Sequence, residues 1–150
     1  HRKFVLYVII HRHILKYVKR IINREVFYMK YYICEHCGNI IEYVKESGVP
    51  VMCCGQKMTE IVPGTSEGAH EKHVPVVIVD GDNVTVEVGE VEHPMVEAHY
   101  IQWIAIETTR GSQKVKLEYT DKPRAEFKLA DGEEFVAAYE YCNLHGLWKK

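Results

Sequence analysis

The sequence predicts a mainly β protein, a small cysteine-bearing unit followed by an antiparallel β-sandwich, and three observations carry that prediction. After residue 70 the chain breaks into short apolar runs separated by the turn signals Asp80-Gly81-Asp82-Asn83, Arg110-Gly111 and Asp131-Gly132. The last long run alternates Phe135, Ala137, Tyr139 and Tyr141, a period of two that belongs to a strand rather than a helix. Upstream, four of the five cysteines form two pairs, Cys34-x2-Cys37 and Cys53-Cys54, each followed by a glycine.

Residues 1–28 form a basic, apolar block. They hold seven Lys/Arg against one Glu, so that residues 29–150 carry a net charge of -8 within an overall -2. An acidic body argues against nucleic acid as a partner. The apolar run Phe4 to Ile10 is short and no small-residue cleavage site follows it, which disfavours a signal peptide. The block is also too interrupted to span a bilayer, which leaves a basic amphipathic surface helix as its functional reading. A simpler expectation is that residues 1–28 are an extension outside the natural protein. Arg24-Glu25-Val26 can be encoded AGG-GAG-GTG, a ribosome-binding sequence lying a suitable distance before Met29. His1, His11 and His13 are therefore left out of the chemistry.

Residues 29–62 form the small unit. Two cysteine pairs supply four thiolates to one tetrahedral ion, and Gly38 and Gly55 permit the turns that aim backbone N–H groups at sulfur. So short a unit buries too little apolar surface to fold alone, so the metal is expected to hold it together. The spacing points strongly to a metal and leaves iron and structural zinc both open. His36, inside the first pair, reads as a solvated loop residue. An odd cysteine count with four in a metal pattern disfavours a disulfide framework and favours a reducing compartment, hence the cytoplasm.

Residues 63–68, Pro-Gly-Thr-Ser-Glu-Gly, read as a linker, and residues 69–150 as the sandwich. Its expected strands are Val74 to Val79, Val84 to Val88, His99 to Glu107, Val115 to Tyr119, Arg124 to Leu129 and Glu134 to Tyr141. Near the end, Cys142 and His145 stand three residues apart where the last strand runs into Gly146, a spacing that lets a loop give two side chains to one metal. His73, His93 and His99 also lie at the ends of apolar runs, although spacing alone does not choose between His70 and His73. Four imidazoles and a thiolate make five ligands, one more than structural zinc takes, which suggests iron with an open sixth position.

From Met29 onward the chain resembles the desulfoferrodoxins, the two-iron form of superoxide reductase. The matching pieces are Cys34-x2-Cys37 with Cys53-Cys54, Glu71-Lys72-His73-Val74-Pro75, His93-Pro94, His99-Tyr100-Ile101 and Cys142-Asn143-Leu144-His145-Gly146, in the expected order. The resemblance implies a desulforedoxin-like domain holding a rubredoxin-type iron on Cys34, Cys37, Cys53 and Cys54. It further implies a neelaredoxin-like domain with an immunoglobulin-like sandwich, whose iron has His73, His93, His99 and His145 in the equatorial plane and Cys142 on the axis. Glu71 is then the carboxylate able to take the sixth position of ferric iron, and Lys72 the cation that draws in superoxide. Implied partners are superoxide, an electron donor such as rubredoxin or a reductase, and a second copy in a homodimer. The implied host is an anaerobe or microaerophile, with neither nucleic acid nor membrane as partner. The competing reading is a non-catalytic iron electron carrier or a zinc-stabilised binding module.

Overall fold

The computed structural model describes residues 29–150, so the basic block 1–28 lies outside the described residues. The first part of the described chain is built from very short strands: β1 (Tyr31–Ile33), β2 (Ile40–Glu42), β3 (Met52–Cys53), β4 (Gln56–Lys57) and β5 (Thr59–Ile61). β1 lies between β2 and β5 in an antiparallel sheet, while β3 and β4 pair as a separate hairpin.

The remainder comprises α1 (His70–His73), β6 (Pro75–Asp80), β7 (Asn83–Val88), β8 (Ile101–Thr108), β9 (Gly111–Lys116), β10 (Arg124–Lys128), β11 (Phe135–Cys142) and β12 (Gly146–Lys149). These strands form an immunoglobulin-like antiparallel sandwich of two sheets, β10-β7-β6 and β12-β11-β8-β9. Between the sheets Val84, Val86 and Val88 pack with Ile104, Ile106, Phe127, Ala138 and Cys142. Burying each such valine contributes about 1.5 kcal/mol or more.

β8 is covered on both faces. Ile104 and Ile106 point into the sandwich, while Ala105 and the half-buried Trp103 point outward to meet Tyr31, Tyr139 and Leu147 in a second apolar cluster. The small sheet therefore packs on the outside of the four-stranded sheet. Lys114 reinforces this junction with an ion pair to Glu42 at 2.8 Å, and its ammonium lies 4.9 Å from the Tyr31 ring centroid.

Several sequence expectations shift. The strand expected at Val115 to Tyr119 begins earlier, at Gly111, because β9 is a polar edge strand whose Ser112, Gln113 and Lys114 give no apolar signal while pairing with β8. The strand expected from His99 starts at Ile101. β12, α1 and the short strands of the first part were not anticipated; each is too short for a period to be read. The 63–68 segment is docked on the sandwich: Gly64 N–H donates to the Leu147 carbonyl at 2.8 Å, and the Ser66 hydroxyl donates to the His145 carbonyl.

Candidate metal centres

Five donor side chains converge where the sandwich elements end. α1 delivers His73 from its last position, and the β7–β8 connection brings His93 and then His99. A bridge between Val96 and His99, with N–H···O distances of 3.0 and 2.8 Å, draws that connection back on itself. Cys142 ends β11 after a register shift at Tyr141/Cys142, and His145 sits in the turn into β12. Asn143 ties the two halves together: its Oδ1 accepts from Tyr100 N–H at 2.9 Å and its Nδ2 donates to the Ala98 carbonyl at 3.0 Å.

The ligand-type atoms of His73, His93, His99, Cys142 and His145 all lie within 4.8 Å of one another. His73 Nε2 stands 3.2 Å from His93 Nε2 and 3.0 Å from His145 Nδ1, and Cys142 Sγ is 3.7 Å from that Nδ1. The far side of two rings is occupied by carbonyls, Ala69 at 2.8 Å from His73 Nδ1 and Pro94 at 2.6 Å from His93 Nδ1. A ring that donates Nδ1–H to a carbonyl presents a bare Nε2 lone pair, the form that binds a metal. His99 Nε2 is buried without a hydrogen-bond partner among the described residues. Lone pairs aimed at one another repel unless a cation lies between them, so the donor set fits an imidazole- and thiolate-binding transition ion such as iron.

The electrostatics agree with that form. Burial, more than any neighbour, holds His73 and His99 below the ordinary imidazole value and takes His93 down to about 4. These three rings are neutral at pH 7, ready to ligate. Burial also pushes the Cys142 thiol up, opposed by hydrogen bonds from the Leu144 and His145 amides. A metal ion is what displaces that proton and turns a buried thiol into a ligand. Two residues before it, Glu140 is fully buried, with neither carboxyl oxygen partnered among the described residues, and burial pushes it up to about 9.

The second cluster joins Cys34, Cys37, Cys53 and Cys54, again with ligand atoms within 4.8 Å of one another. Cys37 and Cys53 sulfurs are 3.6 Å apart, and Asn39 Nδ2 donates to Cys53 Sγ at 3.7 Å. Gly38 and Gly55 take φ of 76° each, and Cys54 itself takes φ of 50°, so both turns use the left-handed conformation that the glycines permit. The Cys37 amide, chiefly, brings Cys34 down to about 6. The adjacent sulfurs, Cys37 first, push Cys54 up to about 12. Only a shared cation lets all four thiols ionise together, and an all-sulfur tetrahedral set suits iron or zinc.

Residues 65–150 match the family model for desulfoferrodoxin, more than half of the chain. The chain belongs to the desulfoferrodoxin family. It is 47% identical over 118 residues to the desulfoferrodoxin of Nitratidesulfovibrio vulgaris, an alignment covering 79% of this chain and 92% of that one. It is 35% identical over 96 residues to the superoxide reductase of Pyrococcus horikoshii, covering 53% of this chain and 84% of that one. The crystal structure of the superoxide reductase from Treponema pallidum superposes with a TM-score of 0.69 at 34% identity, covering 82% of this chain and 98% of that chain.

Glu71 and Lys72 lie exposed on α1 beside His73. After burial and His145, the Lys72 charge is a further cause that lowers His99, which places its ammonium within electrostatic reach of the cluster. His70 opens α1 and stays outside the cluster, its ring centroid 5.0 Å from that of Trp148. Sequence reasoning missed Gly68, Glu140 and Trp148 as neighbours of the site. Trp148 lies in a four-residue strand, and only its place shortly after His145 hinted at it.

Proposed function

We propose that this chain is a superoxide reductase with two irons, and the convergence of four imidazole nitrogens and the Cys142 sulfur on one point carries that reading. His73, His93, His99, His145 and Cys142 would hold an iron, and that iron would supply the one electron which, with two protons, converts superoxide to hydrogen peroxide. Burial keeps the His73, His93 and His99 rings neutral, so the charge of an ion held there would be offset by the Cys142 thiolate and the centre would attract a small anion. Cys142 reaches the cluster from the apolar core, while His99 and His145 are only partly buried and leave it reachable from solvent. Lys72 draws the anion toward that opening through an otherwise acidic surface, and water ordered beside it delivers the protons. The family resemblance makes Glu71, exposed on α1 two residues before His73, the carboxylate that would serve as a further ligand to such an ion.

In this reading residues 29–62 are the tetracysteine domain, 63–68 the linker and 69–150 the catalytic domain. Cys34, Cys37, Cys53 and Cys54 would hold an iron able to store or relay the electron from an outside donor, rubredoxin or a reductase. The five described thiols are free, which supports a reducing site of action, the cytoplasm. Among the described residues no helix is long and apolar enough to cross a membrane. A homodimer completes the proposal, in keeping with the symmetric pairing common among small proteins. Metal analysis with visible spectra tests the reading. It requires two irons per chain with the thiolate charge-transfer bands of a ferric tetracysteine site; zinc at both sites would remove it.

A further inference from the structure

Trp148 is 1% exposed and touches two of the five donors at once. Its ring stacks on His73 with centroids 4.9 Å apart and planes at 24°, and its indole N–H donates to the His145 carbonyl at 3.0 Å. That carbonyl has two lone pairs, and the Ser66 hydroxyl fills the second. One residue from β12 and one from the 63–68 segment therefore hold the same peptide, the one that carries the His145 ring. The segment is pinned a second time where Gly64 N–H meets the Leu147 carbonyl at 2.8 Å.

Gly68 completes the arrangement by what it lacks. A Cβ there would stand 2.7 Å from Trp148 Cζ2 and 3.1 Å from both Cε1 and Nδ1 of His73. Neither neighbour has room to give, because His73 and Trp148 are themselves buried and His73 Nδ1 is engaged with the Ala69 carbonyl. The segment can cross the back of the stacked pair this closely only as glycine.

We infer that Ser66, Gly68 and Trp148 form a clamp that positions His73 and His145, which come from opposite ends of the catalytic part, at the spacing one metal ion requires. The three touch neither substrate nor metal; they are positioning residues acting through the two imidazoles, and the inference rests on the superoxide reductase reading of the cluster. What a sequence presents as a linker is then part of the site, fastened through the Gly64 N–H and the Ser66 hydroxyl to the carbonyls of Leu147 and His145 on either side of Gly146. Substitutions of such outer partners commonly cost about 10–100-fold in metal affinity.

The test is a cobalt(II) titration of the metal-stripped full chain, followed by the visible bands that distinguish a four-sulfur site from a mixed nitrogen and sulfur site, with a melting curve for each variant. Gly68→Ala is expected to weaken the mixed site by about tenfold or more and shift its bands, leaving the four-sulfur titration unchanged. Trp148→Phe, which keeps a ring on His73 but loses the donor to His145, and Ser66→Ala should each give a smaller loss in the same site alone. A purely structural role would lower the melting temperature without moving the mixed-site bands. Should Gly68→Ala fail to fold, the other two variants, which add no bulk, decide. Wild-type affinity and bands at the mixed site in these variants would overturn the clamp while leaving the function intact. A wild-type chain that takes cobalt only on its four cysteines would overturn both.

Discussion

The two clusters are built in opposite ways. Cys34, Cys37, Cys53 and Cys54 come from two short turns of one local unit, and Cys37 and Cys54 are exposed. His73, His93, His99, Cys142 and His145 are gathered from the end of a helical turn, a long connection, a strand end and a hairpin turn, with Cys142 set in the apolar core. The first site has little core of its own: its strands are short, and its main apolar anchor, Tyr31, packs on the sandwich, so a metal would supply the cross-link between its two turns. The second is organised by its surroundings, because the sandwich core, the Asn143 bridges and the carbonyls behind His73 and His93 already aim the donors. Losing metal should therefore cost structure at the first site and chemistry at the second.

The strongest blow to that contrast is Cys142→Ser. Serine is harder and far less readily ionised, so superoxide reduction should vanish while the four-cysteine spectrum and the sandwich persist. Normal peroxide formation by this variant would exclude Cys142 as a ligand. The mirror experiment is Cys34→Ser, which should demetallate or unfold residues 31–62, as read by loss of the four-cysteine bands and faster proteolysis there. The catalytic iron should still be oxidised in one pulse of superoxide, since all five of its donors lie beyond residue 72. Loss of that single-pulse reaction with iron still bound would mean that the two centres depend on each other.

Lys72 sharpens the comparison without touching either donor set. Lys72→Ala should keep both metals and slow the bimolecular step by roughly tenfold, through loss of steering in an acidic protein. Stopped-flow rates should fall with salt in the wild type and fall less, or rise, in the variant, because the Debye length is about 10 Å at 0.1 M. A finer effect separates the buried site from the exposed one in metal-free protein. His93 titrates at about 4 instead of 6.5, so between those values the unfolded chain binds a proton that the native chain does not, and stability falls as pH drops through the window. Glu140, raised from 4.5 to about 9, acts in the opposite sense, losing stability as pH rises through that range. Melting curves of His93→Gln beside the wild type isolate the first contribution, and the variant should show the shallower loss below pH 6.5.

The same contrast explains what could be read from the sequence. The tetracysteine pattern is local, with paired cysteines and adjacent glycines, and its spacing alone pointed to a metal. The long strands were legible because β8 and β11 are strongly apolar and alternate against a core. β9 and β12 were misplaced or missed because a polar edge strand and a four-residue strand leave no periodic trace. The dispersed histidines are assembled by topology, so residue spacing does not choose between His70 and His73, and only the resemblance at Glu71-Lys72-His73 does. Neither Trp148 against His73 nor Gly68 against both has any signature in one dimension, since each contact joins residues distant in the chain or depends on an absent side chain.

The mixed histidine and cysteine centre is expected to reduce superoxide rather than dismutate it. The most direct measurement is an anaerobic mix of fully ferrous protein with a known amount of superoxide, following oxidation of the catalytic iron while counting hydrogen peroxide and oxygen. The expected outcome is one peroxide for each superoxide reduced, one iron oxidised for each peroxide, and no oxygen beyond that from spontaneous dismutation. Oxygen released in step with peroxide, or a ferrous centre that stays reduced while superoxide decays at its uncatalysed rate, would contradict it.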